Sequence, residues 1–503
     1  MDLSRWIEQR ADWSPEAGAL RFDGRTIAYG EMAGRISATA AMLQREFAIE
    51  RGDRVAHLGL SRPDVLDLLF ACAQIGAVLV PLNWRLTPAE HCWQLEDCTP
   101  RLLIAEAEFA AHARALKTAL ELPVLALNGA VDEAPGFEAA VAAAQGGPVE
   151  RCGALEDPLM LVYTSGTTGR PKGAVLAQQA LVANAANVQG VFEFTSADRV
   201  LSALPLFHVG GINIQTTPAL AAGACVVLMD RFDPGTFLRL LEEETITLTL
   251  AVPAVAQALM AHPDWATTDM SRLRMVGLGS SVVPTPLLRG WLEREVLPTQ
   301  IYGLTESAPA SIGLRAEDCA GKLGSCGKPL QWTEARVADD AGRTCPTGER
   351  GEILLRGPNL FMRYWNNPQA SDDAFIDGWF RTGDIGHVDE DGFFYVDDRK
   401  KDVIISGGEN IYPAELEDVL AGVPEIAEQA VVGRPDPQWG ETPVACIVPA
   451  PGARLEPAQV LALFEGRLAR FKHPREVRFF ESLPRNALGK VLKFELREQL
   501  RED

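Results

Sequence analysis

The chain has 503 residues, of which 47% are hydrophobic and 23% are charged, and its formal net charge is −21. A chain of this length can bury more than one hydrophobic core, so we expect two or more domains. The acidic charge argues against a nucleic-acid-binding protein, because phosphates need a basic surface. Any anionic substrate must instead be held by a few local cations against the overall field.

The cysteines and the apolar stretches indicate the compartment. The nine cysteines are scattered, and no Cys-x-x-Cys or zinc-type spacing occurs among them. We interpret them as reduced thiols. The first residues contain no apolar signal-peptide core, and the longest apolar stretch, near 218–229, is too short to span a bilayer. We therefore expect a cytoplasmic protein without a membrane span, present as a monomer or a homodimer.

Helical and strand patterns alternate over residues 1–155. Apolar residues recur at helical spacing after Tyr29 and again over 63–75, which predicts two amphipathic helices. Residues 54–60 and 77–82 contain short apolar runs that predict buried strands. Such alternation is typical of βα units on a parallel sheet, so these residues predict a first α/β lobe.

A loop rich in glycine and hydroxyl groups follows a predicted strand at 159–162. It spans residues 163–173 and reads Tyr-Thr-Ser-Gly-Thr-Thr-Gly-Arg-Pro-Lys-Gly. Glycines let backbone N–H groups face an anion, while hydroxyls and Lys172 donate to its oxygens. The order differs from a Walker A loop, which requires Gly-Lys-Ser/Thr. The loop predicts polyphosphate binding; the alternative is a polar surface turn.

The rest of the chain predicts a second α/β lobe and two smaller sheets. Strand patterns at 199–205 and 275–279 continue the α/β alternation. Residues 350–398 carry short alternating runs separated by glycines, which is typical of an antiparallel sheet. A charge run then precedes a small α+β pattern, and linkers fall at such places. The predicted divisions are a large domain at 1–398, a hinge at 399–402 and a small domain at 403–503.

The wording of the phosphate loop resembles the signature of the adenylate-forming superfamily, which includes acyl-CoA synthetases, firefly-type luciferases and the adenylation domains of peptide synthetases. The resemblance covers roughly residues 15–500 and is strongest to bacterial fatty-acid or aryl-acid CoA ligases. It implies a mixed α/β and α+β multidomain fold: two α/β lobes plus a small antiparallel sheet, followed by a small mobile α+β domain. It also implies ATP, Mg²⁺ and coenzyme A as ligands.

The resemblance assigns nucleotide and metal ligands to several segments. Tyr302 can stack on adenine, Thr305 can donate to phosphate, and Glu306 supplies an oxygen ligand for Mg²⁺. Asp384 resembles the aspartate that binds both ribose hydroxyls, which contributes about 1.5–3 kcal/mol. The predicted ATP-binding residues are Thr164, Ser165, Gly166, Thr167, Thr168, Gly169, Lys172, Gly279, Ser280, Ser281, Tyr302, Gly303, Thr305, Asp384 and Arg399. The predicted metal ligands are Glu306 and Thr168.

His208 and Lys490 are the predicted catalytic residues. By resemblance, His208 flanks the acid pocket, and Lys490 is a mobile cation that stabilises charge developing at the α-phosphate. By the same resemblance, amino-acid-activating members of the superfamily have a Phe-Asp pair where this chain has Phe207-His208. This chain therefore offers no negative charge at that position to pair with the ammonium group of an amino acid. The predicted acid pocket consists of Phe207, His208, Val209, Gly210, Gly279, Gly303 and Ala308.

The segments that carry the predicted pocket contain no positively charged residue. Residues 207–213, 276–281 and 302–310 contain no Arg or Lys, so a second carboxylate would lack a partner. Small residues are expected to leave room for the acid at three positions: Gly210, Gly211 and Ala308. We expect an apolar monocarboxylate, either medium-chain fatty or aromatic.

The C-terminal part is predicted to bind CoA after a domain rotation, with Lys401 as the pivot. Residues 470–501 contain nine Lys or Arg against four Glu, and this local positive charge suits the phosphates of CoA. The predicted CoA-binding residues are Gly407, Gly408, Trp439 and Phe471.

Together, these implications predict an ATP-dependent acid–CoA ligase. The carboxylate attacks the α-phosphate of ATP, which gives an acyl-adenylate and pyrophosphate, and the CoA thiol then displaces AMP. One alternative is a stand-alone adenylating enzyme that loads a carrier protein. Two others are a luciferase-like oxygenase and a non-catalytic binding protein, although the presence of Lys490, Glu306 and Asp384 argues against the latter.

Overall fold

The structure of the chain is a computed structural model, which describes residues 1–164, 171–280, 283–406, 409–437, 439–465, 467–485 and 489–502. Residues 501 and 502 are described without their side chains.

The strands of the described residues have the following bounds in chain order: β1 Gly18–Phe22, β2 Arg25–Ala28, β3 Arg54–Leu58, β4 Val78–Leu82, β5 Leu102–Glu106, β6 Val124–Leu127, β7 Pro158–Thr164, β8 Lys172–Ala177, β9 Arg199–Ser202, β10 Cys225–Leu228, β11 Leu248–Ala251, β12 Met275–Gly279, β13 Leu297–Tyr302, β14 Ile312–Gly313, β15 Lys328–Pro329, β16 Glu334–Ala338, β17 Gly351–Arg356, β18 Arg363–Tyr364, β19 Phe375–Ile376, β20 Trp379–Val388, β21 Phe394–Arg399, β22 Ile404–Ser406, β23 Glu409–Ile411, β24 Ile426–Asp436, β25 Gly440–Pro449 and β26 Glu476–Phe479.

The α-helices have these bounds: α1 Arg5–Trp13, α2 Tyr29–Phe47, α3 Pro63–Ile75, α4 Pro88–Cys98, α5 Ala110–Leu120, α6 Phe137–Ala144, α7 Gln178–Phe192, α8 Thr217–Ala222, α9 Pro234–Glu243, α10 Pro253–Met260, α11 Thr285–Leu292, α12 Pro368–Asp373, α13 Pro413–Leu420, α14 Pro457–Ala462 and α15 Lys493–Glu502. A π-helical segment, Gly211–Thr216, precedes α8, and a 3₁₀ turn, Thr305–Ser307, follows β13.

Two mixed sheets form the bulk of the molecule. One has seven strands in the order β18-β8-β7-β4-β3-β5-β6, and the other has nine in the order β15-β14-β13-β12-β11-β9-β10-β1-β2. Their inner strands are parallel, as in the pairs of β3 with β4 and of β12 with β13. Strands covered on both faces read as continuous apolar runs, and every residue of β4 is buried. Helix α3 leads into this strand, with a proline in its first turn and Gly76 in the left-handed region at its end.

The first two strands do not lie in the first lobe, contrary to the expectation for residues 1–155. Strand β1 pairs in parallel with β10, so β1 and β2 complete the nine-stranded sheet. Similarly, β18 crosses back to pair with β8 in the seven-stranded sheet. Sequence order alone therefore misplaces these three strands, of which β2 and β18 lie at the edge of a sheet.

Two five-stranded sheets complete the fold. Strands β16, β17, β20 and β19, with β21 on β20, form the antiparallel sheet that the glycine-separated runs predict. Strands β23, β22, β25 and β24, with β26 on β25, form a sheet with α13, α14 and α15 in the C-terminal part. The predicted fold class is confirmed, whereas the exact domain boundaries remain a prediction. None of the helices described has the length and apolar character that crossing a membrane requires.

Polar contacts join the C-terminal part to the rest of the molecule. Arg350 forms an ion pair with Glu415, and its guanidinium lies 4.2 Å from the ring centroid of Tyr412. Gln257 Nε2 donates a hydrogen bond to the carbonyl oxygen of Ala427 at 3.3 Å. We refer to these five residues as the polar seam.

Candidate functional site

A cavity of about 310 Å³ lies between the C-terminal part and the sheets that precede it. The carboxyl ends of the parallel strands β12 and β13 form one wall, which is where ligands bind in open α/β sheets. The C-terminal part supplies the opposite wall. The predicted site residues that line this cavity are Gly279, Ser280, Tyr302, Gly303, Asp384, Arg399 and Lys490.

Asp384 is the centre of a buried polar group in the cavity wall. The antiparallel pairing of β20 with β21 places Asp384 opposite Arg399, and Arg399 Nε lies 2.6 Å from Asp384 Oδ1. The Tyr302 hydroxyl donates to Asp384 Oδ2 at 2.8 Å. Burial and the charge of Asp384 raise the pKa of Tyr302, so it remains a neutral donor. Each carboxylate oxygen keeps a second lone pair, which leaves Asp384 able to accept from a ribose hydroxyl.

Glu306 lies in a second group, formed by the 3₁₀ turn and β18. Its carboxylate is buried, and the Tyr364 hydroxyl donates to Glu306 Oε1 at 2.8 Å. Lys172 Nζ lies 5.1 Å from the ring centroid of Tyr364. Because β7 and β8 are antiparallel, Thr164 and Lys172 face each other at the ends of the phosphate loop. Both ends of that loop are thus fixed near Glu306.

The residues around Glu306 fit a nucleotide-bound Mg²⁺ ion. Mg²⁺ is usually held by one or two carboxylates together with substrate phosphates. Over the described part of the chain, no group of three or more His, Cys, Asp or Glu side chains could hold a metal by itself. One carboxylate beside a phosphate loop is the ligand set that such an ion needs.

Some predicted site residues lie outside the described residues: Ser165, Gly166, Thr167, Thr168, Gly169, Ser281, Gly407 and Gly408. Their roles remain predictions.

His208 is neutral in this structure. Burial, and secondly the charge of Arg85, lower the pKa of His208 to about 3. Its Nε2 atom is buried and has no hydrogen-bond partner among the described residues. The ring centroids of Phe207 and His208 are 4.4 Å apart. A neutral imidazole can orient a carboxylate by one hydrogen bond but supplies no positive charge.

Sequence reasoning missed Arg85 and Tyr364. The Arg85 guanidinium lies 4.7 Å from the ring centroid of Trp84 and 6.0 Å from that of Phe207. The three segments proposed for the acid pocket contain no cation, yet this neighbouring segment brings one to the pocket. A signal was present, because Trp84 and Arg85 come two and three residues after the carboxyl end of β4, a parallel strand beside β7. Tyr364 carried no comparable signal.

The expectation that small residues leave room holds at Gly210 but not at Gly211. A Cβ atom on Gly210 would meet only Ile214 Cδ1, at 3.8 Å. A Cβ atom on Gly211 would lie 2.3 Å from the carbonyl oxygen of Pro205, so a close backbone approach requires this glycine. Gly303 is similar, since its Cβ would lie 1.5 Å from the carbonyl oxygen of Pro309.

The remaining acid-pocket residues, Phe207, Val209 and Ala308, are buried and do not line the 310 Å³ cavity. The structure therefore separates the nucleotide side of the site from the predicted acid side. Their contact with an acid remains a prediction.

The predicted CoA-binding aromatics lie on the surface of the C-terminal part. Trp439 and Phe471 are 36% and 46% exposed, which is unusual for large rings. The Arg475 guanidinium lies 4.7 Å from the Trp439 ring centroid, so a cation accompanies an exposed ring. Lys401 is exposed in the turn between β21 and β22. These positions leave the aromatic rings accessible to a ligand.

Lys490 enters the cavity from the C-terminal part, beside Asp384 and Arg399. Lys490 is exposed in part to solvent. Desolvation by the surrounding protein atoms, and secondly the charge of Arg399, nevertheless lower the pKa of Lys490 to about 8. Its ammonium group is therefore charged at neutral pH and loses its proton as the pH rises through about 8.

We expect the rate of adenylation to fall at alkaline pH because Lys490 must be charged to act. The value of kcat/KM for ATP in pyrophosphate exchange should fall about tenfold per pH unit above the pKa of the free enzyme. Lys490→Arg keeps its charge, so its profile should stay flat to higher pH even if its maximum is lower. An unchanged alkaline limb in Lys490→Arg would assign the limb to another group.

Two family models match the chain. The model described as AMP-binding enzyme matches residues 7–365, and the model described as AMP-binding enzyme C-terminal domain matches residues 415–490. The chain belongs to the AMP-binding enzyme family. This confirms the resemblance to adenylate-forming enzymes, because that superfamily shares these two regions.

Several relatives of this AMP-binding enzyme are named as CoA ligases and match over almost their whole length. Indoleacetate–CoA ligase of Aromatoleum aromaticum is 46% identical over 501 residues, covering 99% of this chain and 98% of the relative. Feruloyl-CoA synthase of an Amycolatopsis species is 42% identical and covers 99% of both chains. The crystal structure of ATP-bound MatB from Rhodopseudomonas palustris matches with a TM-score of 0.91 and 30% identity, covering 100% and 99% of the two chains.

The AMP-binding enzyme described here is thus an ATP-dependent acid–CoA ligase that acts through an acyl-adenylate and uses ATP, Mg²⁺ and CoA. The relatives favour CoA over a carrier protein as acceptor.

Proposed function

We propose that the acid is an apolar monocarboxylate, with aromatic acids preferred over medium-chain fatty acids. The observation that carries this proposal is an aromatic cluster beside His208. The ring centroids of Trp84 lie 6.0 Å from Phe109 and 6.4 Å from Phe207, in tilted and edge-on arrangements. Aromatic faces and edges of this kind favour a planar ring as ligand. The relatives named for indoleacetate and for a feruloyl group support the same class.

In the first half-reaction, the residues of the cavity hold the nucleotide while the acid attacks. Asp384 accepts from the ribose, and Arg399 keeps that carboxylate in place. Gly279, Ser280, Tyr302 and Gly303 surround the adenine. Thr164, Thr305 and Lys172 donate to phosphate oxygens, together with the loop residues 165–169. Bound to Glu306 and Thr168, Mg²⁺ would neutralise phosphate charge.

His208 and Lys490 act on the reacting groups. The neutral His208 imidazole orients the carboxylate at the mouth of the acid pocket. The pocket itself is formed by Phe207, Val209, Gly210, Gly279, Gly303 and Ala308. Lys490 stabilises the negative charge that develops at the α-phosphate. Its position in the same cavity as Asp384 supports this role.

In the second half-reaction, we propose that the small domain, 403–503, rotates against the large domain, 1–398, about the hinge 399–402. The exposed turn at Lys401 supports a pivot there. Gly407 and Gly408 would then line the channel for the CoA arm. Trp439 and Phe471 would bind its adenine, since both rings are accessible.

We also place the enzyme in the cytoplasm, as a monomer or a homodimer. All nine cysteines are free, which is typical of a reducing compartment. Light scattering during size-exclusion chromatography would give the oligomeric state.

The substrate proposal is tested by a panel of acids scored by CoA-dependent pyrophosphate release. We expect benzoate, cinnamate or phenylacetate types to give the highest kcat/KM, followed by octanoate, because the pocket offers rings and little charge. Malonate and succinate form the opposing arm, since Arg85 is a cation that a second carboxylate could use. A dicarboxylate well ahead of every monocarboxylate would refute the proposal.

A further inference from the structure

Asn184 lies at the junction of the two segments that carry the predicted acid pocket. It projects from α7 and is completely buried. Its Nδ2 atom donates to the carbonyl oxygen of Asn213 at 2.6 Å, and its Oδ1 atom accepts from the backbone N–H of Ala310 at 2.9 Å. One amide therefore joins the segment that follows His208 to the segment that follows Glu306.

This junction is unlike the other buried contacts of these segments. Within the ranges that the structure describes, Asn184 is the one side chain that hydrogen-bonds to both 207–213 and 302–310. Of these two segments, its neighbour Asn187 contacts only the second, by donating to the carbonyl oxygen of Ala310 at 3.0 Å. Asn187 also accepts from the N–H of Trp332 at 2.7 Å, outside both segments. The two segments, which form the two walls of the predicted acid pocket, therefore meet at Asn184.

The first of these segments, 207–213, continues into a π-helical segment at the position where Asn184 contacts it. Gly211–Thr216 is π-helical, and such segments occur frequently at functional sites. Asn213 comes five residues after His208, which is less than two turns of a helix. The carbonyl group that Asn184 contacts is thus within two helical turns of His208.

Polar side-chain atoms are buried in this π-helical segment. Asn213 Nδ2 and Gln215 Oε1 are buried and have no hydrogen-bond partner among the described residues. A long alkyl chain would bury these amide atoms without satisfying them, which is unfavourable. An aromatic acid would stop short of them or offer a polar substituent.

We propose that Asn184 closes the far end of the acid site and limits the length of the acid that the enzyme activates. Asn184 is a specificity-determining residue in this view, since it sets the position of both walls without touching the reacting atoms. The inference rests on the proposed function, an acid pocket between these two segments.

The test measures kcat/KM in ATP–pyrophosphate exchange for benzoate, cinnamate, and straight-chain acids from hexanoate to dodecanoate. Asn184→Ala removes the junction and deepens the space. We expect the ratio of dodecanoate to cinnamate to rise about tenfold relative to the wild-type enzyme. Asn184→Ser, which keeps a hydroxyl donor and is the less disruptive change, should shift the ratio in the same direction by less.

Asn187→Ala is the matched control, because it removes a buried amide on the same helix that also bonds to Ala310 but makes no bond to 207–213. General loosening lowers kcat/KM for all acids together and leaves the ratio unchanged. An unchanged ratio in both Asn184 variants, or an equal shift in Asn187→Ala, would overturn the inference. If the wild-type enzyme activates no monocarboxylate, the proposed function fails; if it does and the ratios stay fixed, only the role of Asn184 fails.

Discussion

Lys490→Ala is expected to slow acyl-adenylate formation about 10²–10³-fold, the usual loss when one charge-stabilising donor is removed from a preorganised site. Lys490 is a cation that the C-terminal part contributes to the cavity that Asp384 and Arg399 also line, and alanine removes its charge from the developing phosphate charge. Single-turnover formation of pyrophosphate from ATP and the preferred acid measures this step.

The same variant should convert a supplied acyl-adenylate with CoA at a rate close to that of the wild-type enzyme. After the proposed rotation, Lys490 no longer faces the α-phosphate. Lys117→Ala, which changes an exposed lysine on α5, serves as control and should affect neither step. Equal loss in both half-reactions of Lys490→Ala would show that the lysine is structural or that no rotation occurs.

Lys401→Pro is expected to leave acyl-adenylate formation near the wild-type rate and to reduce thioester formation strongly. Lys401 is exposed in a turn that is closed by a hydrogen bond from the Asp402 N–H to the carbonyl oxygen of Arg399, at 2.8 Å. Proline removes neither atom of that bond, and its main cost here is the restriction on Lys400. A fixed φ at position 401 prevents the backbone changes that the rotation requires.

Single-turnover kinetics of each half-reaction measure the effect of Lys401→Pro. Lys401→Ala is the matched control, since it removes the same side chain but leaves φ free, and both of its steps should stay normal. If Lys401→Pro also completes both steps at wild-type rates, the pivot lies elsewhere in the chain.

The residues of the nucleotide side could be predicted from sequence because local patterns determine their partners. The alternation and glycine turns of 350–398 predict an antiparallel sheet, and that pairing alone brings Asp384 opposite Arg399. The sequence also predicts a strand at 275–279, and its parallel pairing with β13 brings Gly279 and Tyr302 to the same edge of the sheet. Local geometry was sufficient in these cases.

The residues of the acid side were harder to predict than those of the nucleotide side, because their contacts join segments that are distant in sequence. Arg85 approaches Phe207 only because β4 lies beside β7, and Asn184 reaches Ala310 across 126 residues of sequence. A glycine is also ambiguous in sequence, as Gly211 shows: it could provide space or allow two backbones to approach closely. Only the coordinates of Pro205 decide between these roles.

The polar seam has a consequence for the energetics of the catalytic cycle. The Arg350 side chain is 33% exposed in its ion pair with Glu415. A pair this exposed stabilises the contact by about 0–1 kcal/mol, because water and dissolved ions replace each partner readily. Departure of the C-terminal part would therefore cost little solvation free energy at these contacts. The balance between the two arrangements would then depend on which substrates are bound and on ionic strength, and hardly on hydrophobic adhesion.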